Sequence, residues 1–186
     1  MREYRSQIFI HSINHSLYHC MYIKVITEEN DIKAYYDLLT KAITDEPQFF
    51  RVSAVDILGE VFPTKDTFEN FTLGAFSENG ELLGTAGFKR DLFVKLKHKG
   101  LIFRMYVSEK AKGLGLGRKL LQALIEKASQ DKSLKQIYLT VVATNHRAKN
   151  LYLSEGFEVF STERNSIQMA QNEFVDENSM IKYLQF

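Results

Sequence analysis

Apolar and polar positions recur with two different periods along this chain, and the changes of period mark out its elements. The run Met21-Tyr22-Ile23-Lys24-Val25-Ile26 reads as a first strand. From Thr27 the period lengthens: Ile32, Tyr35, Leu38, Leu39 and Ala42 recur at helical spacing, with acids in the first turn and Thr27 or Asn30 placed to cap. A second helix is expected over Val52 to Val61. Two apolar runs, Phe71–Phe76 and Leu82–Phe88, flank Asn79-Gly80, which is the strongest short signal for a hairpin. A charged connection from Lys89 to Lys99 then leads to a strand at Leu101–Val107. After it come a glycine-rich turn, an amphipathic helix, an apolar strand at Gln136–Val142, and a helix running from a cap at Asn145 to a stop at Gly156. Short strands at Glu158–Ser161 and Ser179–Leu184 close the chain. This order predicts a mixed α/β fold with a mostly antiparallel sheet and helices on both faces. Residues 21–186 are expected to form the domain, with residues 1–20 expected to be a loosely ordered extension.

Composition narrows the function classes. A chain of 186 residues is long enough for one full core, since roughly 70% of the unfolded surface is buried at this size. A net charge of +1 and only two prolines exclude a disordered, collagenous or generally polyanion-binding chain. Cys20 is the only cysteine, so no internal disulfide forms and a reducing cytoplasm is the expected home. No stretch approaches the roughly 18 apolar residues of a membrane span, and no signal-peptide pattern opens the chain, so no membrane partner is expected. The lysines of the 89–99 connection read as a solvated loop without an aromatic platform, so nucleic acid is not an expected partner either. His11, His15 and His19 would share a helix face beside Cys20. No clean helical stripe or acidic support accompanies them, so no metal is expected.

The candidate chemistry sits in Met105-Tyr106-Val107-Ser108-Glu109-Lys110-Ala111-Lys112-Gly113-Leu114-Gly115-Leu116-Gly117-Arg118-Lys119. Glycines at 113, 115 and 117 let the backbone curl with amide N–H groups inward, and the helix beginning near Leu116 adds its positive dipole end. Together they make an anion cradle. A Walker loop is excluded because Gly117-Arg118-Lys119 offers no hydroxyl for magnesium. A dinucleotide fingerprint fails because its third glycine falls on Arg118. Lys110, Lys112, Arg118 and Lys119 supply local positive charge.

Lys112-x-x-Gly115-x-Gly117, placed after a strand and opening a helix, resembles the pyrophosphate loop of the GCN5-related N-acetyltransferases (GNAT family). A second segment, Asn145-His146-Arg147-Ala148-Lys149-Asn150-Leu151-Tyr152 followed by Gly156-Phe157, is similar to that family's second cosubstrate motif. The resemblance covers roughly Met21 to Phe186. It implies acetyl-coenzyme A as cosubstrate, without a metal, and direct transfer of the acetyl group to a primary amine. It implies binding through Met105, Tyr106, Val107, Lys112, Gly113, Leu114, Gly115, Leu116, Gly117, Arg118, Asn145, Asn150 and Tyr152. The strands at 101–107 and 136–142 would splay so that pantetheine pairs with main-chain groups near Met105, Tyr106 and Val107. An amide N–H of Tyr106 or Val107 would meet the oxyanion, and Tyr152 would stand near the sulfur as the general acid.

Two departures from the family pattern stand out. Leu101-Ile102-Phe103-Arg104-Met105 carries no carboxylate where many relatives have a glutamate, which leaves His98, Glu60, Asp176, Glu177 or a water chain as the base. Lys112 replaces the usual Arg or Gln, and a lysine neutralises phosphate as a point charge without the planar fork. Phe49, Phe50, Phe62 and Tyr183 are candidate acceptor-pocket residues, and a small molecule is the favoured acceptor. A protein or peptide acceptor, a silent coenzyme A sensor and a nucleotide-phosphate binder are the alternatives. The closing segment Phe174–Met180 resembles that of small bacterial members, which implies a possible homodimer.

Overall fold

The computed structural model describes residues 8–10 and 21–184; His11, His15, His19 and Cys20 lie outside the described residues. One eight-stranded sheet contains β1 (Ile8–Ile10), β2 (Met21–Val25), β3 (Asn70–Phe76), β4 (Leu82–Arg90), β5 (Lys99–Val107), β6 (Gln136–Val142), β7 (Glu158–Ala170) and β8 (Glu173–Tyr183). Its order is β1-β2-β3-β4-β5-β6-β8-β7. Every neighbouring pair is antiparallel except β5 with β6. A parallel step needs a long crossover, and α2 (Leu116–Ala128) supplies it. α1 (Glu29–Asp45) follows β2, and α3 (His146–Ser154) follows β6.

Alternation along the strands splits the core in two. On β2, Met21 and Ile23 join a cluster with Leu116, Leu120, Leu121 and Leu124 of α2, whereas Tyr22 packs with Tyr35, Leu39 and Ile43 of α1 on the other face. Helices therefore cover both faces, as the sequence pattern predicts. Neither Thr27 nor Asn30 caps α1. Its N-cap is Glu28, with no side-chain cap hydrogen bond. A missing cap costs about 1 kcal/mol, less than the roughly 1.5–3 kcal/mol from each large apolar side chain that α1 buries.

Two further expectations are corrected. Residues 52–61 do not form a helix; one 3-10 turn, Pro47–Phe49, precedes the region and a second, Ala54–Ile57, lies within it. Asp56 closes the second turn back onto Ser53, Gly59 then takes φ +74°, and among its apolar residues Val55, Leu58 and Val61 are exposed. With only Ile57 buried, no apolar stripe exists to extend the turn. The last two strands run far beyond Glu158–Ser161 and Ser179–Leu184 and form a long hairpin turning at Asn172, which has φ +63°. β7 is exposed and polar along most of its length, so its pairing with β8 holds it and no burial pattern announces it. The Asn79-Gly80 hairpin forms as expected, with Gly80 at φ +79° and its N–H bonded to the Ser77 carbonyl at 2.9 Å.

Candidate functional site

β5 and β6 pair only at Lys99–Leu101 with Gln136–Tyr138, and then part. The cause lies on the other edge of β5. Register against β4 slips between Thr85 and Gly87, and within this bulge Arg104 takes the left-handed φ of +48°. For a non-glycine residue that conformation costs about 1–2 kcal/mol. It is held by the Arg104 guanidinium, 2.8 Å from the Glu60 carboxylate and 3.5 Å from the Tyr35 hydroxyl.

Past the bulge, the Ser108 N–H donates to the Leu83 carbonyl at 2.8 Å, on the β4 side. Strand alternation turns the Val107 N–H and C=O the other way, to the edge that β6 has left. Tyr106, in register with Thr85, hydrogen-bonds on the β4 side. Of the two amides considered from the sequence, Val107's is the one that faces the gap.

The glycine turn lies at the mouth of this gap. Gly113 and Gly115 have φ of +83° and +74°, and a Cβ at either would meet nothing within 4 Å. Glycine is required there for backbone conformation, not for space. Gly115 is the N-cap of α2. The N–H groups of Gly113, Gly115, Leu116, Gly117 and Arg118 donate to no backbone carbonyl among the described residues, while Lys119 begins the helical ladder by donating to Gly115. Gly117 serves differently: a Cβ there would lie 3.3 Å from Leu151 of α3 and 3.7 Å from Val107, so its absence lets α2 approach both.

Asn145 caps α3, its side chain accepting from the Ala148 N–H at 3.1 Å. This helix delivers Tyr152 to the floor of the gap, where the ring is 7% exposed and the hydroxyl lies 3.7 Å from the Met105 sulfur. Burial pushes the phenol up to about 12. A cavity of about 570 Å³ fills the space between these elements. Met105, Tyr106, Val107, Lys112, Gly113, Gly115, Leu116, Gly117, Arg118, Asn145 and Tyr152 line it, whereas Leu114 and Asn150 are exposed away from it.

Three of the basic side chains around the turn, Lys110, Lys112 and Arg118, are partnered. Lys110 meets Glu81 at 2.6 Å, and Arg118 holds Glu155 and Ser154 of α3. Lys112 bonds Glu109 and, at 2.9 Å, Glu46 at the end of α1. The main-chain N–H groups of the turn are therefore joined as anion donors by Arg147 of α3, which also lines the cavity.

None of the four base candidates lines the cavity. His98 precedes β5 at its far end. Glu60 is paired with Arg104, Asp176 accepts from the Asn165 N–H, and Glu177 is buried with Arg51 and Ser166. Phe49 and Phe50 line the wall; Phe62 instead packs on Tyr35 and Tyr36, and Tyr183 is exposed on β8. Glu46 is the carboxylate that sequence reasoning missed. It stands on the cavity wall near Tyr106, whose phenol is raised by burial and by the Glu46 charge. Its signal is faint: it is the last residue before Pro47, where a helix must end. Among the described residues no cluster of His, Cys, Asp and Glu has metal-binding geometry, and no helix is long and apolar enough to cross a membrane.

Comparison with known proteins bears on this arrangement. The acetyltransferase (GNAT) family model matches residues 32–157. Over 55 residues the chain is 38% identical to the spermine/spermidine N(1)-acetyltransferase of Bacillus subtilis (strain 168), covering 30% of this chain and 36% of that protein. The chain thus aligns with about a third of that relative's length. The crystal structure of a GNAT-family acetyltransferase from Streptococcus pneumoniae superposes with a TM-score of 0.75 at 22% identity, covering 88% of this chain and 99% of that one. The ribosomal-protein-S18-alanine N-acetyltransferase from Escherichia coli gives 0.67 at 21% identity, covering 89% and 95%. At these identities the structural likeness is one of fold.

Proposed function

Because this chain belongs to the acetyltransferase (GNAT) family and is an acyltransferase, we propose that it transfers the acetyl group of acetyl-coenzyme A directly to the primary amine of a small molecule. The observation that carries the reading is the gap between β5 and β6, with unbonded amides at its mouth and the Tyr152 hydroxyl at its floor. In this reading the N–H groups of residues 113–118 receive the diphosphate, and the free edge of β5 at Met105 to Val107 pairs with pantetheine as an added strand would.

The amine nitrogen attacks the thioester carbon, so that a C–N bond forms and the C–S bond breaks. The Val107 N–H faces the developing oxyanion. The amine's proton leaves to water or to a carboxylate, and Glu46 is the carboxylate on the acceptor wall. Tyr152 hydrogen-bonds to the departing sulfur. With the phenol near 12 and an ordinary thiol near 8.5, complete early transfer would be uphill by about 5 kcal/mol. Donation therefore acts late, as the thiolate forms.

Among small amines, polyamines come first. The Bacillus subtilis relative is named for acting on them, and Glu46 with Phe49, Phe50 and Tyr106 forms an acidic, aromatic acceptor wall. Exposed Phe160 and Phe174 on the β7–β8 hairpin support a homodimer. The test is thiol release from acetyl-coenzyme A across a panel of polyamines, amino acids, aminoglycosides and N-terminal peptides. Turnover with a polyamine is expected. Turnover only with peptides would overturn the small-molecule acceptor, and tight cosubstrate binding without turnover would make the protein a sensor.

A further inference from the structure

Lys112 belongs to the proposed diphosphate loop by sequence, yet its side chain is largely covered, and its ammonium lies 2.9 Å from the carboxylate of Glu46 on the acceptor wall. One cation thus touches both halves of the cavity. Its other partner, Glu109, stands in the short 3-10 turn Glu109–Ala111 that precedes the loop, so a small rotation of the side chain leaves Lys112 paired while freeing Glu46.

Glu46 differs from the other acids near the cavity. Asp45 pairs with Lys41, and Glu60 and Glu177 are held by arginines away from the lining. Among the described residues Lys112 is the one salt-bridge partner of Glu46, which also meets the Tyr106 phenol and is flanked by aromatic rings, with Phe50 and Tyr106 centred 6.0 Å apart. A carboxylate among aromatic faces suits an organic ammonium group, and in the free protein a lysine ammonium fills that place.

Resting on the acetyltransferase reading above, we propose that Lys112 is a place-holder: it occupies the seat of the acceptor's ammonium on Glu46 until the coenzyme's diphosphate draws it away. Two consequences follow from linkage. The acceptor binds after the coenzyme, and each ligand raises the affinity for the other by the same factor. The acceptor is a cation held by Glu46, and Lys112 is a positioning residue that acts through Glu46.

Calorimetry with coenzyme A, which cannot turn over, and spermidine as the probe cation tests this on the full chain. In the wild type, saturating coenzyme A should tighten spermidine binding at least tenfold. Lys112→Met should weaken coenzyme A several-fold and let spermidine bind the free protein as well as the loaded one, while Lys112→Arg restores the coupling. Glu46→Gln should leave coenzyme A binding equal or tighter, because the lysine is released to the phosphates, and should weaken spermidine in both states. A structural defect would weaken both ligands together. Wild-type spermidine affinity indifferent to coenzyme A, including no binding in either state, overturns the proposal, as does weaker coenzyme A binding in Glu46→Gln. Absence of any coenzyme A binding in the wild type would instead overturn the acetyltransferase site itself.

Discussion

Replacing Tyr152 by Phe separates a chemical role from a packing role. The hydroxyl's hydrogen-bond partner is the Met105 sulfur at 3.7 Å, a weak acceptor, so the buried oxygen is poorly compensated. Its removal deletes the weak bond and the desolvation penalty together, and at pH 7 stability should change by less than about 1 kcal/mol. Alkaline pH is where the two proteins diverge. The phenol titrates near 10 when unfolded and near 12 when folded, so between these values the folded state keeps a proton that the unfolded chain has lost. The Tyr152 phenol thus leaves stability undiminished below pH 10 and lowers it as pH rises toward 12, by about 2 kcal/mol at pH 11.5. Tyr152→Phe lacks this loss, so urea unfolding at pH 7, 10 and 11.5 should show the variant gaining on the wild type by that amount. Thiol-release kinetics at pH 7 should show kcat reduced about 100-fold or more, with acetyl-coenzyme A affinity unchanged. Parallel pH slopes would refute burial of the phenol, and unchanged turnover would refute its role as donor.

Gly115→Ala should lose about 1–2 kcal/mol of stability from the left-handed conformation alone, since a Cβ meets open space there. Gly115→Glu should in addition abolish coenzyme A binding by placing a carboxylate in the anion cradle; calorimetry showing retained affinity would displace the diphosphate from this turn. Gly100→Ala would drive a Cβ to 2.4 Å from the fully buried Phe88 ring at the base of the gap, and denaturant titration should show a loss of about 1–3 kcal/mol. Ser133 and the Arg90 guanidinium hold the Asp131 carboxyl down to about 2. Its contribution is present above its ordinary value of 3.8 and disappears as pH falls toward 2. Asp131→Asn should flatten that part of the acid-unfolding curve, and an unchanged curve would disprove the pairing.

Local chemistry made much of this protein legible from its residues. The positive-φ glycines of the turn, the Asn145 cap, the Asn79-Gly80 hairpin and the two-face alternation of β2 each follow from the preferences of a few neighbouring residues, and those preferences survive folding. For that reason the sheet class, the positive-φ glycine turn and the capped helix that carries Tyr152 follow from the sequence. The tertiary structure alone decided features that depend on distant partners. The β7–β8 hairpin exists because a polar strand found a neighbour, and the single turns at 47–57 because no apolar stripe paid to extend them. The bulge at Arg104 that opens the gap is held by Glu60 and Tyr35, far away in sequence, and Lys112 meets Glu46 across 66 residues. Nothing within either segment specifies such a meeting, because an ion pair between remote residues becomes visible only when the chain has closed on itself.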